Sequence, residues 1–91
     1  MIKKQVRVLN REGLHARPSA TLVKVASRFE SDFYIQLQGY RVNGKSILGV
    51  MTLAADFGSE LELITDGRDE EEAMQTIREL FENRFNMEET S

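Results

Sequence analysis

An α+β open-faced sandwich is the fold class this sequence predicts: a four-stranded, mostly antiparallel sheet with three helices on one face. Three observations predict it. Segments with a two-residue apolar period alternate with segments whose apolar residues recur every three or four positions. The connections between them are short and carry glycine or polar residues. A chain of 91 residues has room for one core and not two. The order β-α-β-β-α-β-α is therefore read as one domain over residues 1–91, with an acidic tail at 86–91.

Each element has its own warrant. Ile2 to Leu9 sets Val6 and Val8 against Gln5 and Arg7, the alternation of a half-buried strand. Asn10 to Gly13 is a polar loop. From His15 to Phe29 the apolar residues Pro18, Leu22, Val25, Ala26 and Phe29 make one helical stripe. Asp32 to Leu37 alternates again, and Gln38-Gly39 turns the chain into a short strand, Tyr40 to Asn43. Ser46 stands before an apolar run as a preferred helix N-cap. Gly49 costs that helix about 1 kcal/mol relative to alanine. Glu60 to Thr65 reads as the last strand. Asp69 with Glu72 three residues on resembles a capping box. The helix after it shows a face of Ala73, Met74, Ile77, Leu80, Phe81 and Phe85. The outer sheet face is expected to be solvated, with Arg7, Gln36 and Glu62 on it.

Composition narrows the chemistry. Hydrophobic residues make up 41% and charged residues 30%, an ordinary globular balance. A net charge of −3 disfavours non-specific binding to nucleic-acid backbones. The absence of cysteine removes disulfides, thiolate zinc sites and cysteine nucleophiles. A single histidine excludes a multi-histidine metal site, and no cofactor is expected. No run approaches the ~20 apolar residues of a membrane span. No apolar stretch follows Lys3-Lys4 as a signal peptide would require, so the expected address is the cytoplasm.

Two segments carry possible chemistry. Gly13-Leu14-His15-Ala16-Arg17-Pro18 places the only histidine at a helix start, where Pro18 is tolerated. The free amides and positive dipole end there disfavour an imidazolium and favour an anion at the ring. Arg17 offers a charged donor fork for phosphate oxygens. A capping histidine beside a surface arginine accounts for the same residues. Ser46 is the second segment. As an N-cap it needs no further role, and a phosphate added there would lie on the positive dipole end and act mainly on partner docking. Ile47, Leu48, Val50 and Met51 cannot all face the core of a two-turn helix, so part of this run forms an exposed apolar patch. Lys24 and Arg28, with Arg17, make a basic edge or plain solvated surface. The acidic run Asp69 to Glu72 reads as compensation of a helix dipole.

The segment Gly13 to Pro18 resembles the active-site signature of the HPr family, histidine-containing phosphocarriers of the bacterial phosphoenolpyruvate-dependent sugar phosphotransferase system. Val42 to Met51 is similar to the family's regulatory serine segment, and the resemblance runs the length of the chain. It implies that His15 accepts a phosphoryl group on Nδ1 from phosphorylated enzyme I and passes it to IIA domains. Arg17 would neutralise the phosphoryl oxygens, with the amide of Ala16 and its neighbours at the helix start holding them. Ser46 would be the site of an HPr kinase/phosphorylase. Ala20, Lys24, Ile47, Leu48 and Met51 would form the shared docking surface of a monomeric carrier. Ser19 stands where alanine is frequent in the family, and Glu12 brings a negative charge close to His15.

The alternative within the family is a regulatory-only or nitrogen-branch homologue that does not drive sugar uptake. The ending at Phe81 to Phe85 and the Val42 to Met51 segment lean toward HPr-like proteins of bacteria that keep the kinase. Outside the family, an RNA-binding module would show aromatic and basic residues on the sheet, where Arg7, Gln36, Glu60 and Glu62 are read instead. An autonomous histidine enzyme would need a general base near His15, and none is apparent in the sequence.

Overall fold

The computed structural model describes residues 1–86, and within them the predicted order of elements appears with some boundaries moved. Strand β1 (Ile2–Arg7) is followed by helix α1 (Ala16–Ala26), strands β2 (Asp32–Leu37) and β3 (Tyr40–Asn43), helix α2 (Ile47–Thr52), strand β4 (Glu60–Asp66) and helix α3 (Glu70–Glu82). The strands lie in the order β1-β4-β2-β3, and all three pairings are antiparallel. This is the open-faced sandwich expected. Of the tail expected over 86–91, only Asn86 falls within the described residues.

Register sorts the side chains by face. Leu61 pairs with Val6, and Leu63 pairs with Lys4 on one side and Ile35 on the other. Leu61, Leu63, Ile35, Phe33 and Val42 meet Leu22, Ala26, Val50, Met74, Ile77 and Phe81 from the helices in one apolar cluster. The opposite face carries Gln5, Glu62 and Gln36 in one row. Ile64 on that face is nonetheless buried, flanked in the ladder by Lys3 and Tyr34, with the Arg41 guanidinium 5.7 Å from the Tyr34 ring centre.

Three expectations are corrected. β1 ends at Arg7 because Val8 leaves the ladder to bond the Ser59 and Gly58 backbones of the turn before β4. α3 stops at Glu82, short of Phe85, because Arg84, Phe85 and Asn86 take φ of +51°, +58° and +57°, a left-handed turn that no right-handed helix can continue. Phe85 still reaches the core, with its ring centre 5.0 Å from that of Phe81. The capping box at Asp69 does not form. The Asp69 carboxylate makes no cap bond and turns to the loop at Glu30 and Ser31 instead.

Candidate functional site

His15 is the N-cap of α1, in extended backbone (φ −77°, ψ −170°), and its carbonyl accepts from the Ser19 amide at 2.9 Å. Its side chain makes no capping bond and is exposed. Pro18, at the third helical position, has no N–H, so the first turn presents the amides of Ala16 and Arg17 to the space by the ring. α1 has no acidic residue in its first turn, which leaves the positive end of the dipole uncompensated by its own side chains. Arg17 is exposed beside it. An exposed imidazole at a helix start with free first-turn amides, two residues before an exposed arginine, is suited to carry an anionic group on a ring nitrogen.

The loop before His15 is held from several sides. Gly13 has φ +76° and donates to the Asn10 carbonyl at 3.0 Å, and a Cβ there would lie 2.4 Å from the Ala55 carbonyl oxygen. Only glycine fits that conformation and that approach. The Leu14 amide donates to the same Ala55 carbonyl at 3.0 Å, and the Leu14 side chain is buried. Ala54, with φ +53°, makes the turn that presents this carbonyl. Ser19 is fully buried, and its hydroxyl donates to the Leu14 carbonyl at 3.1 Å. The sequence marks Ser19 only as a serine where alanine is frequent in the family, and nothing local marks Ala54 and Ala55. Their partners, Gly13 and Leu14, lie some forty residues away in the chain.

Ser46 caps α2 as expected. Its hydroxyl accepts from the Gly49 amide at 3.0 Å, and its carbonyl from the Val50 amide at 2.9 Å. Gly49 has a reason beyond propensity, since a Cβ there would lie 3.1 Å from the Asn43 carbonyl oxygen. The side chain of Lys45 donates to the Phe29 carbonyl at 2.8 Å, joining the start of α2 to the chain just past α1.

The expected patch divides as a two-turn helix requires. Val50 is buried, whereas Ile47, Leu48 and Met51 are 44%, 76% and 41% exposed. α1 packs against α2, so exposed Ala20 and Lys24 stand on the neighbouring helix. A cleft of about 430 Å³ lies elsewhere, between β1 and α3, lined by Ile2, Lys4, Met74 and Arg78 among others, and by neither His15 nor Ser46. Among the described residues, no group of three His, Cys, Asp or Glu could hold a metal ion, and no helix is long and apolar enough to cross a membrane.

Comparison with known proteins bears on this geometry. A family model described as the PTS HPr component phosphorylation site matches residues 2–83. The phosphocarrier protein HPr of Treponema pallidum is 53% identical over 88 residues, covering 97% of this chain and 100% of the relative. The crystal structure of an HPr from Thermoanaerobacter tengcongensis superposes with a TM-score of 0.94 at 38% identity, covering 98% of this chain and 100% of that one. Crh of Bacillus subtilis, described as a domain-swapped dimer, superposes with a TM-score of 0.75 at 40% identity over 92% of this chain and 97% of that one.

Proposed function

Since the chain belongs to the HPr family, phosphocarriers of the phosphotransferase system and not enzymes, we propose that His15 is the residue that carries the phosphoryl group. The supporting observation is the exposed ring at the start of α1, next to the free amides of Ala16 and Arg17. The unprotonated Nδ1 attacks the phosphorus atom on phosphorylated enzyme I. The bond to enzyme I breaks as the new P–N bond forms, and a IIA domain then takes the group by the same displacement. Arg17 and the two amides offset the charge of the phosphoryl oxygens. The protein positions the group, and its partners supply the remaining catalytic residues.

Ser46 is proposed as the site of an HPr kinase/phosphorylase. A phosphate there adds about −1.5 to −2 charge beside exposed Ile47, Leu48 and Met51. These three, with Ala20 and Lys24, form the docking surface in this reading. The carrier acts as a monomer in the cytoplasm. Sedimentation at working concentration checks the first point, since two solved relatives are described as dimers, and a dimer here would overturn it. A regulatory-only role is the second reading, favoured by the likeness to Crh.

A two-armed phosphorylation assay tests both sites. Phosphoenolpyruvate with enzyme I should give an acid-labile phosphate that His15→Ala abolishes, and retained label in that variant refutes the assignment. ATP with the kinase should give an acid-stable phosphate on Ser46. Phosphate on Ser46 alone would support the regulatory reading.

A further inference from the structure

We infer that Ser19 is a positioning residue for phosphoryl transfer, an inference that rests on His15 being the acceptor. The His15 side chain makes no capping bond, so the placement of the ring depends on the backbone that carries it. Both peptide units around Leu14 are fixed by named partners. The amide on one side donates to the Ala55 carbonyl at 3.0 Å, and the carbonyl on the other accepts the Ser19 hydroxyl at 3.1 Å. That second carbonyl shares its rigid peptide plane with the His15 amide. The hydroxyl of Ser19 therefore sets the plane from which His15 projects, while its own amide holds the His15 carbonyl at 2.9 Å.

Ser19 thus grips the backbone on both sides of the His15 amide from one buried point, 0% exposed. Buried serine is costly unless bonded, and this one makes its bond to a single carbonyl that the helix itself does not use. Without the hydroxyl, the Leu14 carbonyl loses this donor and the peptide plane can tilt, carrying the ring and the Ala16 amide away from their shared target. Misplacement of reacting groups lowers the rate of the chemical step and leaves the docking surface on α2 intact.

Transfer from phosphorylated enzyme I is measured for the parent, Ser19→Ala and Ser19→Thr, with KM and the maximal rate resolved separately. Ser19→Ala should lower the maximal rate about fivefold, equivalent to about 1 kcal/mol, with KM within twofold of the parent. Ser19→Thr keeps the hydroxyl and should retain most of the parental rate. An unchanged rate in a folded Ser19→Ala protein, a change confined to KM, or an equal loss in both variants overturns the proposal. If Ser19→Ala does not fold at the assay temperature, a parental rate in Ser19→Thr supports the role of the hydroxyl, and a fivefold loss there overturns it. A parent that takes no label on His15 fails at the earlier step, the assignment of the acceptor.

Discussion

Asp69 and Ser31 are joined twice: Oδ1 of the carboxylate accepts from both the amide and the hydroxyl of Ser31, while Oδ2 accepts from the amide of Glu30 at 2.9 Å. The residue before α3 thereby clamps the loop between α1 and β2. The Ser31 hydroxyl and the two amides stabilise the charged form and hold the carboxyl down at about 2, from an ordinary 3.8. A folded-state value below the unfolded one gives stability that is complete above about pH 4 and is lost as pH falls through about 2. Asp69→Asn should therefore flatten the acid limb of a melting-temperature profile between those pH values and lower the melting point at pH 7. Glu70, lowered by its bond from the Gly67 amide, keeps a residual acid response. A variant with the parental acid limb would show that the clamp does not govern acid stability.

Gly44 closes the end of the β2-β3 hairpin against Phe33. Its amide donates to the Phe33 carbonyl at 2.7 Å, and a Cβ at this position would lie 2.1 Å from the Phe33 ring. Phe33 is 2% exposed and has little freedom to move. Gly44→Ala should cost at least about 2 kcal/mol, read from the urea midpoint at constant slope. A loss under about 0.5 kcal/mol would mean that the ring yields.

At the other end of that hairpin, Gln38 and Gly39 have φ of +51° and +84°, as a type I′ turn requires, and Leu37 pairs with Tyr40 across it. Glutamine tolerates the left-handed region less well than asparagine. Gln38→Asn should stabilise the protein by about 0.5 kcal/mol, a rise of roughly 3 °C in melting temperature. An unchanged or lower melting point would count against strain at this position.

Leu48, 76% exposed on α2, buries too little to matter for folding. Leu48→Ser should leave stability within about 0.5 kcal/mol and raise KM for phosphorylated enzyme I roughly fivefold or more. Steady-state transfer kinetics check this. An unchanged KM would remove the patch from the proposed docking surface.

What the sequence revealed follows from the range of each interaction. The bounds of β2 and β3 were legible because period-two alternation and the Gln38-Gly39 turn are local signals. The Ser46 cap followed from local sequence and helix geometry, which also required part of the run Ile47, Leu48, Val50 and Met51 to be exposed; that Val50 is the buried member depends on how α2 sits on the sheet. Asp69 was misread because its partners, Glu30 and Ser31, lie 39 and 38 residues away, while the capping box appeared complete nearby. The end of α3 was misread because three consecutive non-glycine residues with positive φ leave no mark in composition. The buried contact of Ser19 with Leu14 was hidden for another reason: a serine in a first helical turn is ordinary until its burial is known.

The strand order β1-β4-β2-β3 also sets a timetable for synthesis. β1, made first, pairs in the sheet only with β4, so Ile2 waits for Thr65 and Arg7 for Glu60. The β2-β3 hairpin closes across a two-residue turn as soon as it emerges. On a ribosome, the opening strand must therefore stay unpaired while some fifty further residues are added, several seconds at about 5–20 residues per second. Lys3 and Lys4 within it are charges of the kind that keep a waiting strand from pairing with the wrong partner.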